Sequence, residues 1–290
     1  MTFENLRKKW RRFNRRGALF LLFLGAFCVF SGLYAFDLWR AGREARAFEK
    51  LAAQVEAAAP AAPSVPAKRE PEQEPEPEPE PTPEELLAAR LAAYGELREE
   101  NPDFYGWISI EGTELNYPVM HTPSEPERYL RRGFDKKWAI SGTPFLDGAC
   151  YEGCGNYIVY GHMMKNGTMF ATLKDYTSED FWREHPVIRF DTPERAAEYE
   201  VLAAFYSRAY YQDETGVFRY YRYTDLTDPA VFEEYLAGVR AAALYDTGVD
   251  AQYGDELLTL STCSYHTDNG RFVVVARRTD NVEGEWDGDL

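Results

Sequence analysis

The chain has 290 residues and a formal net charge of −16, because 48 acidic side chains outnumber 32 basic ones. Its length suits one domain of ordinary size with accessory segments, or two small domains, and an aromatic content of 15% is too high for a disordered chain. The acidic balance argues against nucleic acid as the main partner. Four scattered cysteines exclude a disulfide-dense scaffold and every C-x-x-C zinc pattern, so neither a metal nor another cofactor is expected.

The N-terminal region predicts a membrane anchor. Residues 1–16 contain seven basic side chains and one acidic side chain, and residues 17–36 form a run of 20 residues without a charge. At ~1.5 Å per residue, a helix of this length spans a hydrocarbon core of ~30 Å. The alternative is an unusually long signal sequence, but a cleavable signal has a shorter apolar stretch followed directly by a small-x-small site, whereas the flank that follows here, DLWRAGREARAF, begins with charged and bulky residues. The basic flank favours a cytoplasmic N-terminus, so we predict a single-pass plasma-membrane protein whose remaining chain is extracellular.

Two segments connect this anchor to the rest of the chain. Residues 37–82 become rich in Ala, Pro and Glu and end in EPEQEPEPEPEP, which favours a stiff polyproline II spacer over a helix or a core. Thr82 then supplies an N-cap, Pro83 a proline at the first helical position, and Glu85 a capping-box glutamate. A helix is therefore predicted over 83–100, and its apolar positions at helical spacing are expected to pack on the domain that follows.

From residue 101 onward the pattern changes to seven short β-rich runs separated by Gly, Pro and Asp. Their irregular spacing favours a closed or nearly closed antiparallel barrel over a βαβ sheet. Helical stretches are predicted at 177–185 and at 228–246. One domain at 83–280, followed by an acidic tail at 281–290, is the simplest division of this part of the chain.

Cys263 is the candidate nucleophile. In the strand ELLTLSTC, Leu258 and Leu260 share one face, so the cysteine points away from the apolar side. A thiolate there can attack a carbonyl carbon, although a structural cysteine is the simpler interpretation. Arg271 opens the next apolar strand eight residues later. If the two strands pair as a hairpin, the guanidinium faces an oxyanion formed at the thiol; otherwise it is an ordinary solvent-exposed arginine.

The proton carrier of such a site must come from four histidines. His162 ends the strand YIVYGH, where a rigid scaffold can deliver it to a barrel rim. His266 is the only serious rival, because it lies in the turn beside Cys263, but no strand fixes its ring. His185 precedes a proline at a predicted helix end and is expected to cap carbonyl groups. His121 follows a strand in a polar loop and is expected to be solvated.

Together these residues resemble a class B sortase, a membrane-anchored cysteine transpeptidase of Gram-positive bacteria. The similarity rests on TLSTC followed by Arg271, on YGHMMKNGTMF around His162, on NPDFYGWISIEGTELNYPVM and on GTPFLD, and it covers residues 83–278 in order. It implies a closed eight-stranded sortase β-barrel with an N-terminal helical extension and a long helix between the sixth and seventh strands. It also implies Cys263 as the nucleophile, His162 as the general acid and base, and Arg271 as the residue that stabilises the oxyanion.

The resemblance further implies a substrate and a reaction. The thiolate attacks the Thr carbonyl in a C-terminal sorting motif of a surface protein, and an amine of peptidoglycan or of a pilin resolves the thioacyl-enzyme. Leu130, Ser261 and the 228–246 helix are expected near the sorting signal. Glu125-Pro126 stands where many relatives have an Asp-Asn pair, so contacts at that edge are expected to differ. A thiol hydrolase, and a barrel that only binds surface proteins, are the alternatives.

Cys150 and Cys154 form the spacing C-x-x-x-C within GACYEGCGN. In an exported loop, two such residues either close a small disulfide or stay as free thiols. Two thiols without further ligands nearby do not predict a metal site.

Overall fold

The computed structural model describes residues 3–58 and 81–279, with side chains described from residue 17 onward. Within these residues the chain forms two N-terminal helices and eight strands, with two further helices and three 3₁₀ helices among the strands. The helices are α1 (Phe3–Ala58), α2 (Pro83–Glu100), α3 (Glu179–Glu184) and α4 (Pro229–Ala242), and the strands are β1 (Phe104–Ser109), β2 (Asn116–Met120), β3 (Phe145–Leu146), β4 (Asn156–Gly161), β5 (Val187–Asp191), β6 (Glu198–Arg208), β7 (Leu257–Cys263) and β8 (Gly270–Arg278).

One helix among the described residues is long and apolar enough to cross a membrane. It lies within Gly17–Ala58 of α1, has a mean hydropathy of 2.2 over its apolar window, and none of that window is buried. Large side chains such as Leu22 and Phe30 are 66% and 71% exposed along it. Exposing so much apolar surface to water is unfavourable at ~25 cal/mol per Å², so this surface suits lipid chains. By internal contacts the chain divides into two compact units, Met1–Ala47 and Phe48–Leu290.

The α1 helix extends further than the sequence analysis predicts. It continues past the apolar run to Ala58, because the intervening segment is rich in Ala, Glu, Arg and Leu, which favour helices, and no proline interrupts it. The predicted spacer at 37–82 is therefore helical rather than extended over its first part. Its residues 59–80 lie outside the described residues, as does the predicted tail at 281–290.

The α2 helix begins at the predicted cap. Thr82 Oγ1 accepts a hydrogen bond from Glu85 N at 3.2 Å, and Glu85 Oε2 accepts one from Thr82 N at 2.8 Å. Such a reciprocal box satisfies two N–H groups that have no partner within the helix. Tyr94 and Leu97 are buried, and the Tyr94 ring stacks on Trp107 of β1 at 6.1 Å between centroids. The predicted helix is confirmed, and its apolar face packs on the barrel as expected.

The strands close into a barrel in the order β1-β2-β3-β4-β7-β8-β6-β5, which confirms the predicted closed eight-stranded barrel. It is not antiparallel throughout, because β2 pairs with β3 in parallel and β4 pairs with β7 in parallel. Parallel pairing needs a long crossover. The connection from β4 to β7 provides one, since it contains β5, β6, α3 and α4.

Each strand of the β7–β8 hairpin contributes to two apolar layers. Leu258 and Leu260 of β7 belong to the barrel interior, whereas Leu257 and Val273 belong to an outer cluster covered by α4. This helix lies between the sixth and seventh strands, as predicted, although it ends at Ala242 rather than at residue 246. Its apolar side chains fill the outer cluster, and the members that are at most 1% exposed are Phe232, Tyr235, Leu236 and Val239.

Candidate active site

Three residues singled out in the sequence meet at one end of the barrel, on three neighbouring strands. Cys263, the last residue of β7, pairs directly with Arg271 of β8. On the other side of β7, Gly161 of β4 pairs with Thr262, so His162, one residue beyond that strand, is level with Cys263. Residues at one level of neighbouring strands project from the same face of a sheet. The structure therefore brings the three side chains to the outer face of β4, β7 and β8.

The orientation of Cys263 agrees with the prediction from strand alternation. Its side chain is exposed, whereas Leu258 and Leu260 are fully buried in the barrel interior. Thr262, the residue before Cys263 on β7, donates from Oγ1 to Gly161 O at 2.8 Å. This hydrogen bond joins the ends of β7 and β4. The thiol is consequently held by a rigid strand end and is open to a substrate from outside.

His162 is half-buried, and its surroundings disfavour the charged imidazolium. Burial, and then the positive charge of Arg131, lower the pKa of His162 below its usual value. Its backbone is fixed, since Phe170 N donates to His162 O at 2.9 Å. Phe170 also packs so closely on Gly161 that a Cβ there would lie 2.5 Å from the ring. The surroundings of His162 therefore favour its neutral imidazole, and a side chain at position 161 would displace the Phe170 ring.

Arg271 carries a charge that no carboxylate in the described part of the chain neutralises. Its Nη1 donates to the backbone oxygens of Asn269 at 3.2 Å and of Gly270 at 3.0 Å, both in the turn that enters β8. A guanidinium has five N–H donors, so other donors remain for a ligand. The side chain is thus anchored by backbone while its charge stays available beside Cys263.

Ser261 does not reach the surface in the way the family resemblance implies. It is only 1% exposed, and its Oγ lies 2.7 Å from the hydroxyl of Tyr220, which is also buried. Burial raises the pKa of Tyr220 to about 12, although the hydrogen bond with Ser261 and the positive charge of Arg271 act in the opposite direction. Tyr220 therefore forms the floor beneath the candidate site. The sequence analysis missed it, because nothing in the loop before α4 distinguishes one of its several tyrosines.

Leu130 lies near the β3–β4 pair, beside the strand that leads to His162. It is half-buried in the 3₁₀ helix Arg128–Arg131 and packs against an outer cluster that includes Phe145 and Tyr160. The rings of Phe145 and Tyr160 are 5.7 Å apart, and Tyr160 is two residues before His162 on β4. Leu130 therefore lies on the β3 side of β4, whereas β7, which ends in Cys263, pairs with the other side of β4.

The rival histidine is better fixed than its place in a turn predicts. His266 Nδ1 lies 2.9 Å from Ser264 Oγ, and its ring packs on Tyr206 with 4.6 Å between centroids. Tyr206 in turn packs edge-on against Phe272, whose side chain belongs to the barrel interior. The expectation that nothing fixes the His266 ring is therefore wrong: a neighbouring strand does so through Tyr206.

The remaining two histidines lie away from the thiol, and one differs from its prediction. His121 was expected to be solvated, but it is half-buried with its ring edge-on to Tyr105 at 5.5 Å, and burial lowers its pKa. His185 has Nδ1 2.9 Å from Glu111 O, so it contacts a carbonyl of the β1–β2 turn rather than one of its own helix. Neither histidine is placed to serve Cys263.

The second cysteine pair lies far from this site. Cys150 and Cys154 are buried thiols in the turn before β4, whose first residue, Asn156, is six residues before His162, or ~20 Å along a strand. Among the residues with described side chains, no three metal-ligating groups converge to hold an ion. The chemistry that the described site supports is therefore that of a thiol, an imidazole and a guanidinium.

Known proteins share both the sequence and the fold. The Sortase domain family matches residues 108–279, which is more than half of the chain. Sortase B of Listeria monocytogenes is 32% identical over 201 residues, which cover 64% of this chain and 77% of the relative. Sortase B of Staphylococcus aureus is 29% identical over 188 residues, which cover 63% of this chain and 73% of the relative. A solved Staphylococcus aureus sortase B-substrate complex shares the fold at a TM-score of 0.65 and 22% identity, covering 84% of this chain and 100% of that one.

Proposed function

The chain belongs to the sortase family as a class B cysteine transpeptidase, and on that basis we propose that Cys263 is its nucleophile, His162 its general acid and base, and Arg271 its oxyanion-stabilising residue. Sortases are cell-wall transpeptidases that anchor surface proteins. The observation that carries the assignment is the shared level of the three residues on β4, β7 and β8.

The first half-reaction forms a thioester. The Cys263 thiolate attacks the backbone carbonyl carbon of the Thr in a C-terminal sorting motif. The carbonyl oxygen then becomes an oxyanion. Arg271 faces the thiol across one strand pair and has no carboxylate partner among the described residues, so its N–H donors and charge can stabilise that oxyanion. The scissile C–N bond then breaks as the tetrahedral intermediate collapses.

His162 handles the protons of both half-reactions. In its protonated form it gives a proton to the departing amine, which is otherwise a very poor leaving group. Because its surroundings lower its pKa, the imidazolium is a stronger acid than a solvated one, and the proton transfer is favoured. After the thioacyl-enzyme has formed, the neutral imidazole takes a proton from the amine that attacks the thioester.

The acceptor is an amine of peptidoglycan or of a pilin, and the product is a surface protein joined to it by a new amide bond. The sorting peptide lies on the outer face between Leu130 and α4. The Staphylococcus aureus relative has been solved as a substrate complex, which supports a peptide substrate for this family member as well. Ser261 does not contact the peptide directly, and instead its hydroxyl contacts the buried Tyr220 beneath the site.

The enzyme acts at the outer surface of the plasma membrane. The apolar stretch of α1 supports one membrane span at 17–36, and the basic segment 1–16 supports a cytoplasmic N-terminus. This orientation leaves the catalytic domain at 83–280 extracellular, where sorting signals and cell-wall amines meet.

A single assay separates this function from its alternatives. The full-length enzyme in detergent is incubated with a fluorogenic sorting peptide, with and without an amine, and Cys263→Ala serves as the control. We expect cleavage after Thr and, with the amine present, a product in which the amine is joined to the new carboxyl end. Cleavage with water as the only acceptor would indicate a thiol hydrolase. Binding of the peptide without any cleavage would overturn the catalytic assignment.

A further inference from the structure

A pair of buried thiols lies at the end of the barrel opposite the candidate active site. Cys150 and Cys154 are 3% and 0% exposed, and their side chains hydrogen-bond to each other. Both sulfurs also approach the same acceptor, Asn156 O, at 3.6 and 3.4 Å. Two sulfurs that share one carbonyl and contact each other are already neighbours in the folded domain.

The two thiols differ in how readily they ionise. The hydrogen bond from Cys150 lowers the pKa of Cys154, whereas the same hydrogen bond and burial raise the pKa of Cys150. In the docked fold, Cys154 is therefore the more acidic of the two thiols. A thiolate beside a second thiol, without a third metal-ligating group among the residues with described side chains, suits thiol–disulfide exchange rather than metal binding.

We propose that Cys150 and Cys154 are joined by a disulfide in the exported enzyme, an inference that rests on the extracellular location proposed above. The oxidant is the disulfide of an extracytoplasmic dithiol oxidoreductase. One of the two cysteine thiolates attacks one sulfur of that disulfide, forms a mixed disulfide and releases one thiolate of the oxidant. The other cysteine thiolate then attacks the cysteine sulfur of the mixed disulfide and releases the second thiolate of the oxidant, so the pair loses two electrons and two protons and the oxidant becomes a dithiol. Because both sulfurs are buried in the native fold, the exchange takes place before this loop docks.

This bond would close a loop that contacts the segment leading into α4. Cys154 O accepts a hydrogen bond from Leu226 N at 2.7 Å, and Tyr151 OH donates to Asp225 Oδ2 at 2.9 Å. Gly155 lies so close to Leu226 that a Cβ would approach to 2.9 Å. The segment at 225–226 leads into the N-cap of α4, which forms one wall of the peptide surface. A disulfide there restricts the unfolded loop and so stabilises the docked one.

The test counts thiols in the full-length protein. It is isolated without reductant from a Gram-positive host, quenched in acid, denatured, treated with iodoacetamide and mapped by mass spectrometry. We expect Cys28 and Cys263 to be alkylated, and the peptide containing Cys150 and Cys154 to be unmodified and lighter than its reduced form by two hydrogen atoms. Prior reduction should expose both of these thiols. Alkylation of both without reduction would overturn the proposal.

A matched variant isolates the effect of the bond on stability. Reductant should lower the melting temperature of the wild-type protein but not that of Cys150→Ala/Cys154→Ala, which has no bond to lose. An equal response in the two proteins would contradict the proposal. Protease accessibility of the domain in the same cells reports its location separately. A domain that is accessible and has two free thiols would contradict the disulfide but not the extracellular location.

Discussion

At the scale of single residues, the electrostatic setting of His162 is the feature that most affects its chemistry. The imidazole is half-buried at the end of β4, and Arg131 adds a positive charge from the neighbouring 3₁₀ helix. Both effects disfavour the imidazolium, and they have separate causes, since one is desolvation and the other is charge. Removing the charge of Arg131 therefore tests one of the two causes.

Replacing Arg131 tests the charge effect. Arg131→Gln removes a positive charge that opposes protonation, so the pKa of His162 should rise towards its ordinary value near 6.5. Arg131→Lys keeps the charge and should leave the pKa nearly where it is in the wild-type protein. NMR titration of the histidine ring protons measures both. If Gln and Lys move the His162 pKa equally, the loss of packing rather than charge is responsible.

The role of Arg271 is one of geometry as well as charge. Arg271→Lys keeps a cation opposite Cys263 but loses the planar fork of donors. Loss of one oxyanion donor typically costs ~3 kcal/mol, so kcat/KM for the sorting peptide should fall on the order of 10²-fold while the melting temperature stays close to wild type. A lysine variant with unimpaired kcat/KM would show that a point charge suffices.

The two histidines near the thiol should behave differently. His162→Ala should abolish nearly all transpeptidation, because the variant loses the imidazole that lies level with Cys263 and is proposed to protonate the leaving amine. His266→Ala should retain most activity, although it removes the contact with Tyr206 and so lowers the melting temperature slightly. An inactive His266→Ala beside an active His162→Ala of unchanged melting temperature would reverse the assignment.

At the scale of elements, α4 and the loop before it are joined to β7 by tyrosine hydroxyls. Tyr220 OH lies 2.7 Å from Ser261 Oγ, and Tyr235 OH lies 2.6 Å from Thr259 Oγ1, all in buried positions. Thr259 Oγ1 itself donates to Asn156 Oδ1 at 2.8 Å, so the network continues into β4. These bonds fix α4 and the loop before it to the strands that hold the proposed catalytic residues.

Removing one hydroxyl measures the strength of this attachment. Because Thr259 donates to Asn156, Tyr235 is the donor to Thr259, and Tyr235→Phe leaves a buried acceptor without that bond. We expect the free energy of unfolding in urea to fall by about 1 kcal/mol. Tyr223→Phe is the control, since its hydroxyl donates to the exposed Glu234 and should contribute less than ~0.5 kcal/mol. Equal losses of unfolding free energy in the two variants would mean that the buried hydrogen bond stabilises the fold no more than the exposed one.

At the scale of the whole molecule, the strong asymmetry of charge follows the chain. Seven of the 32 basic residues lie within residues 1–16, before the apolar run, and the remainder of the chain is acidic. Such a distribution favours a cytoplasmic N-terminus, because basic flanks resist translocation.

Protease added to intact protoplasts tests this orientation. The region 83–290 should be digested while the segment before the span is protected, as detected with antibodies to each part. Detergent lysis is the control, since it should expose both. Protection of 83–290 in intact protoplasts would overturn the extracellular location and the surface function together.

The sequence by itself determined those features that depend on near neighbours in the chain. The apolar run, the Thr82 capping box and the hairpin that pairs Cys263 with Arg271 each involve residues that are close in sequence, so periodicity and spacing predict them. Only the tertiary structure decided the contacts between distant segments. His162 becomes level with Cys263 through the parallel pairing of β4 with β7, and Ser261 is covered by Tyr220 from a loop 41 residues away. No local pattern contains such pairings, because they form when the closing barrel buries its apolar faces, and that burial involves the whole sheet.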